Sequence, residues 1–518
     1  MTLNKSKYLK GVQCPKILWL DKHMPEQHDP STVNVGRLEA GSVVGDVAKG
    51  YFGEYAEVAY SPDISAMVAE THRLLLAGEK VIAEAAFKSE DNSCIVDVLR
   101  SDEDGGYEIV EIKSSTASPE QDAAKVDAVY LNDLAYQVYV LKGCGLDISK
   151  VSLMQLNKDY IRRGALDISN LFVLTDCSER VFNIQVAVAN KIDCIEFFVS
   201  QDSEPNELIG SRCDKPYECG FKGWCWRGLP ENNVFDIGWS MWGSKKDEAY
   251  KNGVRSFQDV LVGQMKLSDK QRRQVEMAVR EYPPYTDKAA LEKFLSQIKY
   301  PLYHLDFETF QQPIPLWDNV SPYEQIPFQY SLHIQKTACG LAKHKEFLGK
   351  EGIDPRRELV ERLCNDIPMG AYVMAYYATF EKTQIKALAD QFKDKAAHLM
   401  SIHDNMIDLA VPFQSGAYYC REMGGSYSIK VVLPALCPDD PELNYKALNL
   451  IHNGAEAMSV YAMLHEKDAD EIEIIRAALL AYCRLDTLAM VKILEKLYML
   501  VGYTGVSCDA VNKKTIPA

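Results

Sequence analysis

The sequence lacks the apolar segments that mark membrane and secreted proteins. No apolar run approaches the ~18 residues of a membrane-spanning helix, and the first residues, MTLNKSKYLKG, contain no apolar signal-peptide core. Positive charge is not in excess either, since the formal net charge is −16, which argues against a broad cationic surface that coats duplex nucleic acid. We therefore expect a cytoplasmic protein without a membrane partner.

Internal repeats, low-complexity tracts and a G-x-x-x-x-G-K-[ST] phosphate loop are also absent from the sequence. With 518 residues, the chain should hold two or three domains. Its 47% of hydrophobic and 25% of charged residues are ordinary for soluble globular proteins. Fourteen cysteines in a chain without a leader indicate a reducing compartment, and metal ligation rather than disulfides.

Two segments towards the C-terminal end carry the strongest pattern. In YHLDFETF, residues 303–310, Asp306 and Glu308 are two apart on an expected strand, so both carboxylates point to one face. In AYCRLDTLAM, residues 481–490, Tyr482 and Asp486 are four apart on an expected helix and are neighbours on its surface. Carboxylates that converge from two elements can hold a pair of divalent cations for phosphodiester hydrolysis. The pattern predicts a nuclease.

These segments resemble the DEDD exonuclease superfamily in its tyrosine subclass, where a D-x-E strand, a middle acid and a Y-x-x-x-D helix build a two-metal 3′-to-5′ exonuclease site. The resemblance implies that Asp306 and Glu308 hold both cations and that Asp486 completes the shell of one. Tyr482 would orient the attacking water by a hydrogen bond, because a phenol titrates near pH ~10 and is a poor base. Oxygen ligands of this kind favour Mg²⁺ or Mn²⁺.

The middle motif of that superfamily is an N-x-x-x-F-D run, and MAYYATFEKTQIKALA, residues 374–389, is its best match. Glu381 follows Phe380 where the family has Asp, and Tyr376 and Tyr377 occupy the region of the family's Asn. Glu381 is therefore the candidate for the middle catalytic acid. Asp408, in NMIDLAVPF, is the alternative.

The N-terminal half contains a second constellation of charged residues. CIVDVLRSDEDGGYEIVEIKSS, residues 94–115, predicts two strands joined by a turn at residues 104–106. Asp97 lies on the first strand, and Glu111 and Lys113 share a face of the second. The two carboxylates can bind a metal while Lys113 places an ammonium beside the hydrolytic water and the phosphate. This arrangement resembles the PD-(D/E)xK nuclease fold in its RecB-like branch. The alternative is an ordinary surface ion pair between Glu111 and Lys113.

Four cysteines have the spacing of a metal site. Cys213, Cys219 and Cys225 recur at intervals of six in SRCDKPYECGFKGWCW, and Cys14 stands in VQCPKILWL. They resemble the iron-sulfur clasp of the RecB-like CRISPR-associated nucleases and of bacterial recombination nuclease subunits. The resemblance implies a 4Fe-4S cluster that ties the start of the chain to the end of the nuclease domain. Zinc is the alternative, because four thiolates suit it as well.

The chain departs from the RecB-like pattern in two places. Gly45 stands where we would look for a metal-binding His, and Gln137 is followed by Leu141 where a Q-x-x-x-Y motif has Tyr. Gln137 would still position Lys113 or the substrate.

The expected fold class is therefore α/β. Residues 1–229 would form a PD-(D/E)xK restriction-endonuclease-like domain with the clasp, residues 230–298 a mostly helical connector, and residues 299–518 a ribonuclease H-like DEDD exonuclease domain. In the connector, Ser268 and Gln271 have the spacing of a helix capping box.

The expected function is metal-dependent hydrolysis of DNA, as an exonuclease on single-stranded ends, with two separate active sites. Three alternatives stay open: the C-terminal site works alone while the N-terminal domain binds the strand; the substrate is RNA; or the chain is a non-catalytic iron-sulfur scaffold. The expected partners are a helicase or other repair or defence proteins.

Overall fold

The structure is a computed structural model that describes residues 2–33, 35–263, 265–438 and 440–503. The chain divides into two compact units. Unit 1 is the chain up to Leu229 together with Gly243–Lys251 and Gln312–Glu324. Unit 2 is Pro230–Trp242, Asn252–Gln311 and the described chain from Gln325 onwards. Helix accounts for 49% and strand for 18% of the chain, so the predicted mixed α/β class is confirmed.

Unit 1 is built on a mixed sheet. Its described strands are β1 (Leu3–Asn4), β2 (Ala56–Glu57), β3 (Val81–Ser89), β4 (Asn92–Ser101), β5 (Tyr107–Ala117), β6 (Ile148–Asn157) and β7 (Phe172–Asp176). Their order is β2-β3-β4-β5-β6-β7, and β1 pairs with β4. Strands β3, β4 and β5 are antiparallel neighbours, whereas β5 and β6 run parallel.

Helices cover this sheet. The described helices of unit 1 are α1 (Lys5–Gln13), α2 (Pro15–His23), α3 (Val35–Lys49), α4 (Ile64–Ala77), α5 (Ala128–Gly143), α6 (Ile168–Leu171), α7 (Ser178–Asn183), α8 (Gln185–Val199), α9 (Lys222–Trp226) and α10 (Gly243–Lys251). Helix α5 makes the connection between the parallel strands β5 and β6. Its Leu134, Tyr136 and Val138 are buried in one core with Val96 and Ile109 of the sheet.

The predicted hairpin is confirmed, because β4 and β5 pair as antiparallel neighbours. Asp102 Oδ1 accepts hydrogen bonds from the backbone N–H groups of Asp104 and Gly106, at 3.0 and 2.7 Å. Gly105 has a φ of 88°, which glycine adopts without steric cost. The Asp-Gly-Gly sequence thus closes the turn and fixes the register of the two strands that carry the N-terminal site.

Unit 2 contains a mixed sheet with β9 at its centre. The described strands are β8 (Tyr285–Thr286), β9 (Leu302–Phe310), β10 (Ile326–Gln335), β11 (Ala342–Leu348), β12 (Tyr372–Ala375), β13 (Met406–Asp408) and β14 (Tyr418–Tyr419). The main sheet has the order β11-β10-β9-β12-β13, and β8 pairs separately with β14. Strands β11, β10 and β9 form an antiparallel meander, and β12 and β13 continue it in parallel with β9.

The described helices of unit 2 are α11 (Phe257–Val262), α12 (Asp269–Arg280), α13 (Lys288–Leu295), α14 (Arg356–Asp366), α15 (Thr379–Gln391), α16 (Ala396–Asp404), α17 (Val411–Gln414), α18 (Ile429–Leu436), α19 (Gly454–Ala462) and α20 (Ala469–Leu500). The capping box predicted at the start of α12 is confirmed: the Ser268 side chain accepts from Gln271 N–H, and the Gln271 side chain accepts from Ser268 N–H. Within the described ranges, no helix combines the length and apolar character that crossing a membrane requires.

Candidate functional site

Strand β9 presents its side chains alternately to the two faces of the sheet in unit 2. Tyr303, Leu305 and Phe307 are buried in the core that includes residues of α14 and α15. Asp306 and Glu308 have the opposite parity and point to the face that α20 covers. The predicted strand with two carboxylates on one face is therefore confirmed.

Helix α20 meets this face along a buried stripe. The stripe recurs every three or four residues, as one face of a helix requires, and contains Tyr482, Asp486, Ala489, Ile493 and Leu497. Its apolar members pack in the core of unit 2. Tyr482 and Asp486 form its polar end, which the helix holds against β9.

The acids of β9 and the start of this stripe form a compact group of possible metal ligands. One ligand atom each of Asp306, Glu308 and Cys483 lies within 4.8 Å of the other two. Glu308 is 8% exposed and Asp486 6%. The Cys483 Sγ donates to Asp306 Oδ2 at 3.7 Å. Carboxylates gathered this closely and withdrawn from water need a compensating charge.

The pKa values of these acids also indicate that the ionised carboxylates need a compensating positive charge. Burial raises the pKa of Glu308 to about 8, and repulsion from Asp486 adds to the rise. Burial also raises the pKa of Asp486, to about 6, although hydrogen bonds and a nearby lysine oppose it. For Asp306, burial followed by repulsion from Asp486 and Glu308 holds the pKa well above its ordinary value. A bound cation would replace the protons that these groups otherwise retain.

Glu381, on α15, lies within electrostatic range of this group, since it contributes to the raised pKa of both Asp306 and Glu308. The residue is 3% exposed. Its Oε2 is buried and has no hydrogen-bond partner among the residues that the structure describes. Burial, with repulsion from Asp408 and Asp486, raises the pKa of Glu381 to about 8. A carboxylate oxygen that is buried without a donor has the chemistry of a cation ligand.

Asp408, the alternative to Glu381, is engaged elsewhere. Its Oδ1 accepts hydrogen bonds from the backbone N–H groups of Tyr377, at 3.0 Å, and Ala410, at 2.8 Å. These bonds fix the chain after β13 and engage one of the two carboxylate oxygens of Asp408. Glu381 contributes to the raised pKa of Asp306 and Glu308, whereas Asp408 is not among the main causes of either shift.

Three residues of this site were not identified from the sequence. Tyr445 OH donates to Asp486 Oδ1 at 2.6 Å, and Lys430 Nζ donates to Tyr482 OH at 3.1 Å. Cys483 could have been noticed, because it lies between the two motif residues of α20. Lys430 lies on α18 and Tyr445 lies outside the helices and strands named above; neither is part of a catalytic spacing pattern.

The N-terminal site brings together all four residues that the sequence assigned to it. Glu111 is 1% exposed, and its Oε1 accepts from Lys113 Nζ at 2.6 Å. Its Oε2 accepts from Gln137 Nε2 at 2.7 Å. Asp97 lies beside them on β4, and its Oδ2 accepts from the backbone N–H of Ile112 at 2.7 Å.

Two further residues complete this cluster, and the sequence pattern missed both. Asp133, one turn before Gln137 on α5, accepts from Lys113 Nζ at 2.7 Å and from Gln137 Nε2 at 3.1 Å. Lys5 Nζ donates to both oxygens of Glu111, at 2.9 and 3.1 Å. The four-residue spacing of Asp133 and Gln137 was a usable signal. Lys5 had none, because it is 106 residues from Glu111.

Burial and charge act in opposite directions on the pKa values of this cluster. Burial opposes ionisation of Glu111, but Lys113 and Lys5 outweigh it and hold the pKa of Glu111 below its ordinary value. Burial, with repulsion from Glu111, raises the pKa of Asp97 to about 7. Burial disfavours the Lys5 ammonium, but Asp133, Glu111 and Asp97 outweigh it and hold the pKa of Lys5 well above its ordinary value.

The four cysteines of the predicted clasp line one cavity in unit 1. Cys14 is the N-cap residue of α2, and Cys225 lies on α9. Cys213 and Cys219 lie in the loop before α9, where the Cys219 backbone N–H donates to Cys213 O at 2.8 Å. Among the described thiols, no three sulfurs lie within 4.8 Å of one another. The four sulfurs around a single zinc would stand about 3.8 Å apart, given a Zn–S distance of about 2.3 Å.

A groove of unit 1 adjoins both the N-terminal site and the cysteine loop. Lys10, Arg37 and Lys113 line it together with the aromatic residues Tyr130, Tyr217 and Tyr323. Arg37 lies over the Tyr217 ring at 4.7 Å, and Lys113 over the Tyr130 ring at 5.6 Å. The groove is lined by three basic residues and one acidic residue, Glu218. Lys113 is paired with Glu111 and Asp133, and Lys10 with Asp21.

Comparison with known proteins adds two partial matches. Residues 303–428 match the family model described as "Domain of unknown function (DUF2779)", a stretch that contains Asp306, Glu308 and Glu381. The chain is 29% identical over 182 residues to the uncharacterized protein UU173 of Ureaplasma parvum serovar 3. That match covers 32% of this chain and 26% of the Ureaplasma protein, so the chain spans about a quarter of the length of the relative it matches. No solved structure matches the chain.

Proposed function

We propose that the chain is a metal-dependent nuclease whose principal active site is the C-terminal one, formed by Asp306, Glu308, Glu381, Tyr482 and Asp486. The observation that carries the proposal is the convergence of buried, mutually repelling acids from β9, α15 and α20. A site without a cation has no physical reason to gather such acids, because each raises the pKa of the others. Burial without compensation would cost stability.

Asp306, Glu308 and Asp486 would hold Mg²⁺ or Mn²⁺, with the Glu381 oxygen available to the same group. The ions would supply charge stabilisation of the attacking and leaving oxygens at a phosphodiester. Tyr482 stays protonated, because burial and then Asp486 hold the pKa of Tyr482 far above its ordinary value. Lys430 donates to the phenol oxygen, so the phenol proton is directed away from Lys430 and can orient a water or a phosphate oxygen.

The topology of unit 2 supports this proposal. An antiparallel meander continued by two parallel strands is the sheet that we expect of a ribonuclease H-like DEDD exonuclease domain. The D-x-E strand is the central strand β9 of this sheet. On this resemblance the reaction is 3′-to-5′ exonucleolytic removal of nucleotides.

Unit 1 is proposed to be a RecB-like PD-(D/E)xK unit that binds the strand. Its β3-β4-β5 meander, followed through α5 by the parallel strand β6, supports that fold. Cys14, Cys213, Cys219 and Cys225 would hold a 4Fe-4S cluster. The four thiols line one cavity, four thiolates suit such a cluster, and Arg212 and Lys16 lie close enough to offset thiolate charge.

The groove of unit 1 supports single-stranded nucleic acid as the ligand. Aromatic rings provide stacking surfaces for bases, and cations contact phosphates. We propose DNA as the substrate, with RNA as the competing one, and a cytoplasmic setting in which a helicase or other repair or defence protein supplies the single strand. A non-catalytic scaffold is the remaining alternative.

Digestion of end-labelled single-stranded DNA and RNA with Mg²⁺ or Mn²⁺ tests the proposal. The purified protein should shorten a 5′-labelled DNA strand stepwise, and Asp306→Asn should abolish the ladder. Glu473→Gln, on the exposed face of α20, is the matched control and should cleave normally. Cleavage that persists in Asp306→Asn would refute the C-terminal site, and equal cleavage of RNA would refute the preference for DNA.

A further inference from the structure

The N-terminal site differs from a metal site in one respect: it already contains a second ammonium group. Lys5 Nζ contacts Glu111 directly and lies 3.8 Å from Asp97 Oδ1 and 3.9 Å from Asp133 Oδ1. It therefore stands among all three carboxylates of the site. A divalent cation ligated by the same acids would have to occupy this position.

The hydrogen bonds of Glu111 leave no room for another ligand. A carboxylate has about four acceptor positions. Lys5 and Lys113 contact Oε1, at 2.9 and 2.6 Å, while Lys5 and Gln137 contact Oε2, at 3.1 and 2.7 Å. Every acceptor position is used, so Glu111 can coordinate a cation only if one of these donors leaves.

The fold places Lys5 there firmly. Leu3 and Asn4, just before it, pair with β4 as strand β1, and Tyr136 OH donates to Leu3 O at 2.7 Å. Tyr8, one turn further along α1, stacks on Tyr136 with ring centroids 4.5 Å apart. The backbone of Lys5 is therefore held on both sides, and only its side chain can move away from Glu111.

We propose that Lys5 is an internal counter-ion that competes with divalent cations for the N-terminal carboxylates. In this state the site is a charge-compensated cluster, and a metal enters only when the Lys5 side chain withdraws from Glu111. The inference rests on the proposed function for one point only, the identity of the competing cation. It separates the two candidate sites, because Lys430, the lysine near the acids of unit 2, donates to Tyr482 OH rather than to a carboxylate.

Charge arithmetic gives the expected direction. Asp97, Glu111 and Asp133 carry three negative charges when ionised, and Lys5 and Lys113 carry two positive charges. Removal of the Lys5 charge doubles the net negative charge, from one to two, and frees two acceptor positions of Glu111. The Lys5 ammonium also repels an entering cation, and at about 4 Å in a partly buried site water screens that repulsion only weakly. We therefore expect the dissociation constant for Mn²⁺ to fall at least about tenfold in Lys5→Met.

The test is a titration of the full chain with Mn²⁺, followed by the electron paramagnetic resonance signal of free Mn²⁺. All variants carry Asp306→Asn, which weakens the C-terminal site. Lys5→Met should bind one additional Mn²⁺ tightly, whereas Lys5→Arg, which keeps the charge, and Lys7→Met, an exposed neighbour on α1, should not. Adding Asp97→Asn to Lys5→Met should abolish the gain.

Three results would overturn the proposal: equal Mn²⁺ affinity with and without Lys5, an equal gain in Lys5→Arg, or an equal gain in Lys7→Met. If Lys5→Met does not fold, the rate at which the Lys5 amine of the wild-type chain is acetylated tests the proposal instead. Mass spectrometry measures this rate with and without saturating Mn²⁺. The rate should rise with Mn²⁺ if the metal displaces Lys5, and an unchanged rate would contradict displacement. Failure of the proposed nuclease site would appear in a separate comparison, between Asp306→Asn alone and the wild-type chain. Equal cleavage or equal Mn²⁺ binding in these two proteins would contradict the C-terminal site.

Discussion

Replacing Glu308 by Gln should stabilise the metal-free protein, although it should destroy activity. The wild-type carboxylate is buried among other acids, with a pKa of about 8 against an ordinary value of 4.5. Gln has nearly the same shape and carries no charge. The substitution therefore removes the repulsion between Glu308 and the other acids. It leaves the packing of this β9 side chain against α20 in place.

The magnitude follows from linkage between protonation and folding. One pKa unit corresponds to about 1.4 kcal/mol, so the full difference is worth at most about 5 kcal/mol above pH 8. The neighbouring acids share the repulsion and adjust their own protonation. We therefore expect a net gain of about 2 kcal/mol at pH 8.5, which is about 5 °C in the Tm of a unit of this size.

The pH dependence has a definite sign. The folded-state pKa is raised, so the wild-type chain has the full stability of a neutral Glu308 only below the unfolded-state pKa near 4.5. That stability is lost as pH rises from there to about 8. The advantage of Glu308→Gln should be under about 1 kcal/mol at pH 5 and should grow through this window.

Thermal unfolding of the metal-free protein, followed by circular dichroism at pH 5 and pH 8.5, measures this difference. Glu473→Gln is the control, because that side chain lies on the exposed face of α20. Saturating Mn²⁺ should raise the wild-type Tm more than that of Glu308→Gln. A Glu308→Gln protein that is less stable than wild type at pH 8.5 would refute the reasoning, since Glu308 would then have a stabilising partner.

Three further predictions concern single groups. Tyr482→Phe keeps the ring and deletes the hydroxyl, so kcat should fall about tenfold or more with KM nearly unchanged; an equal loss in KM would mean that the hydroxyl binds the substrate. Cys219→Ser should remove the broad iron-sulfur absorbance of anaerobically purified protein and lower the Tm of unit 1, because ligand binding and folding are coupled; a colourless wild type with one zinc would contradict the iron assignment. Lys113→Ala should remove one class of cleavage or weaken binding of a single strand, as measured by fluorescence anisotropy; a variant equal to wild type in both assays would leave the groove without a role.

Local patterns made part of this structure predictable from the sequence. The alternation in YHLDFETF and the four-residue spacing of Tyr482 and Asp486 each depend only on the geometry of one element. The β4-β5 hairpin follows from its Asp-Gly-Gly turn. These elements carry Asp306, Glu308 and Asp486 of one site and Asp97 and Glu111 of the other.

The remaining residues depend on long-range packing. Lys5 reaches Glu111 across 106 residues of sequence, because β1 pairs with β4 and Tyr8 stacks on Tyr136. Lys430 reaches Tyr482 across 52 residues, from a helix whose own sequence has no catalytic pattern. The periodicity of a single helix or strand cannot predict these two contacts. Each contact adds a positive charge to its site.

The most direct test of the central claim is to locate divalent cations in crystals soaked with Mn²⁺, using anomalous diffraction. The account predicts two peaks about 4 Å apart, in contact with Asp306 and Glu308 and with at least one peak against Asp486. Manganese that binds elsewhere in the molecule, with no peak among these three carboxylates, would contradict a two-metal nuclease site in unit 2.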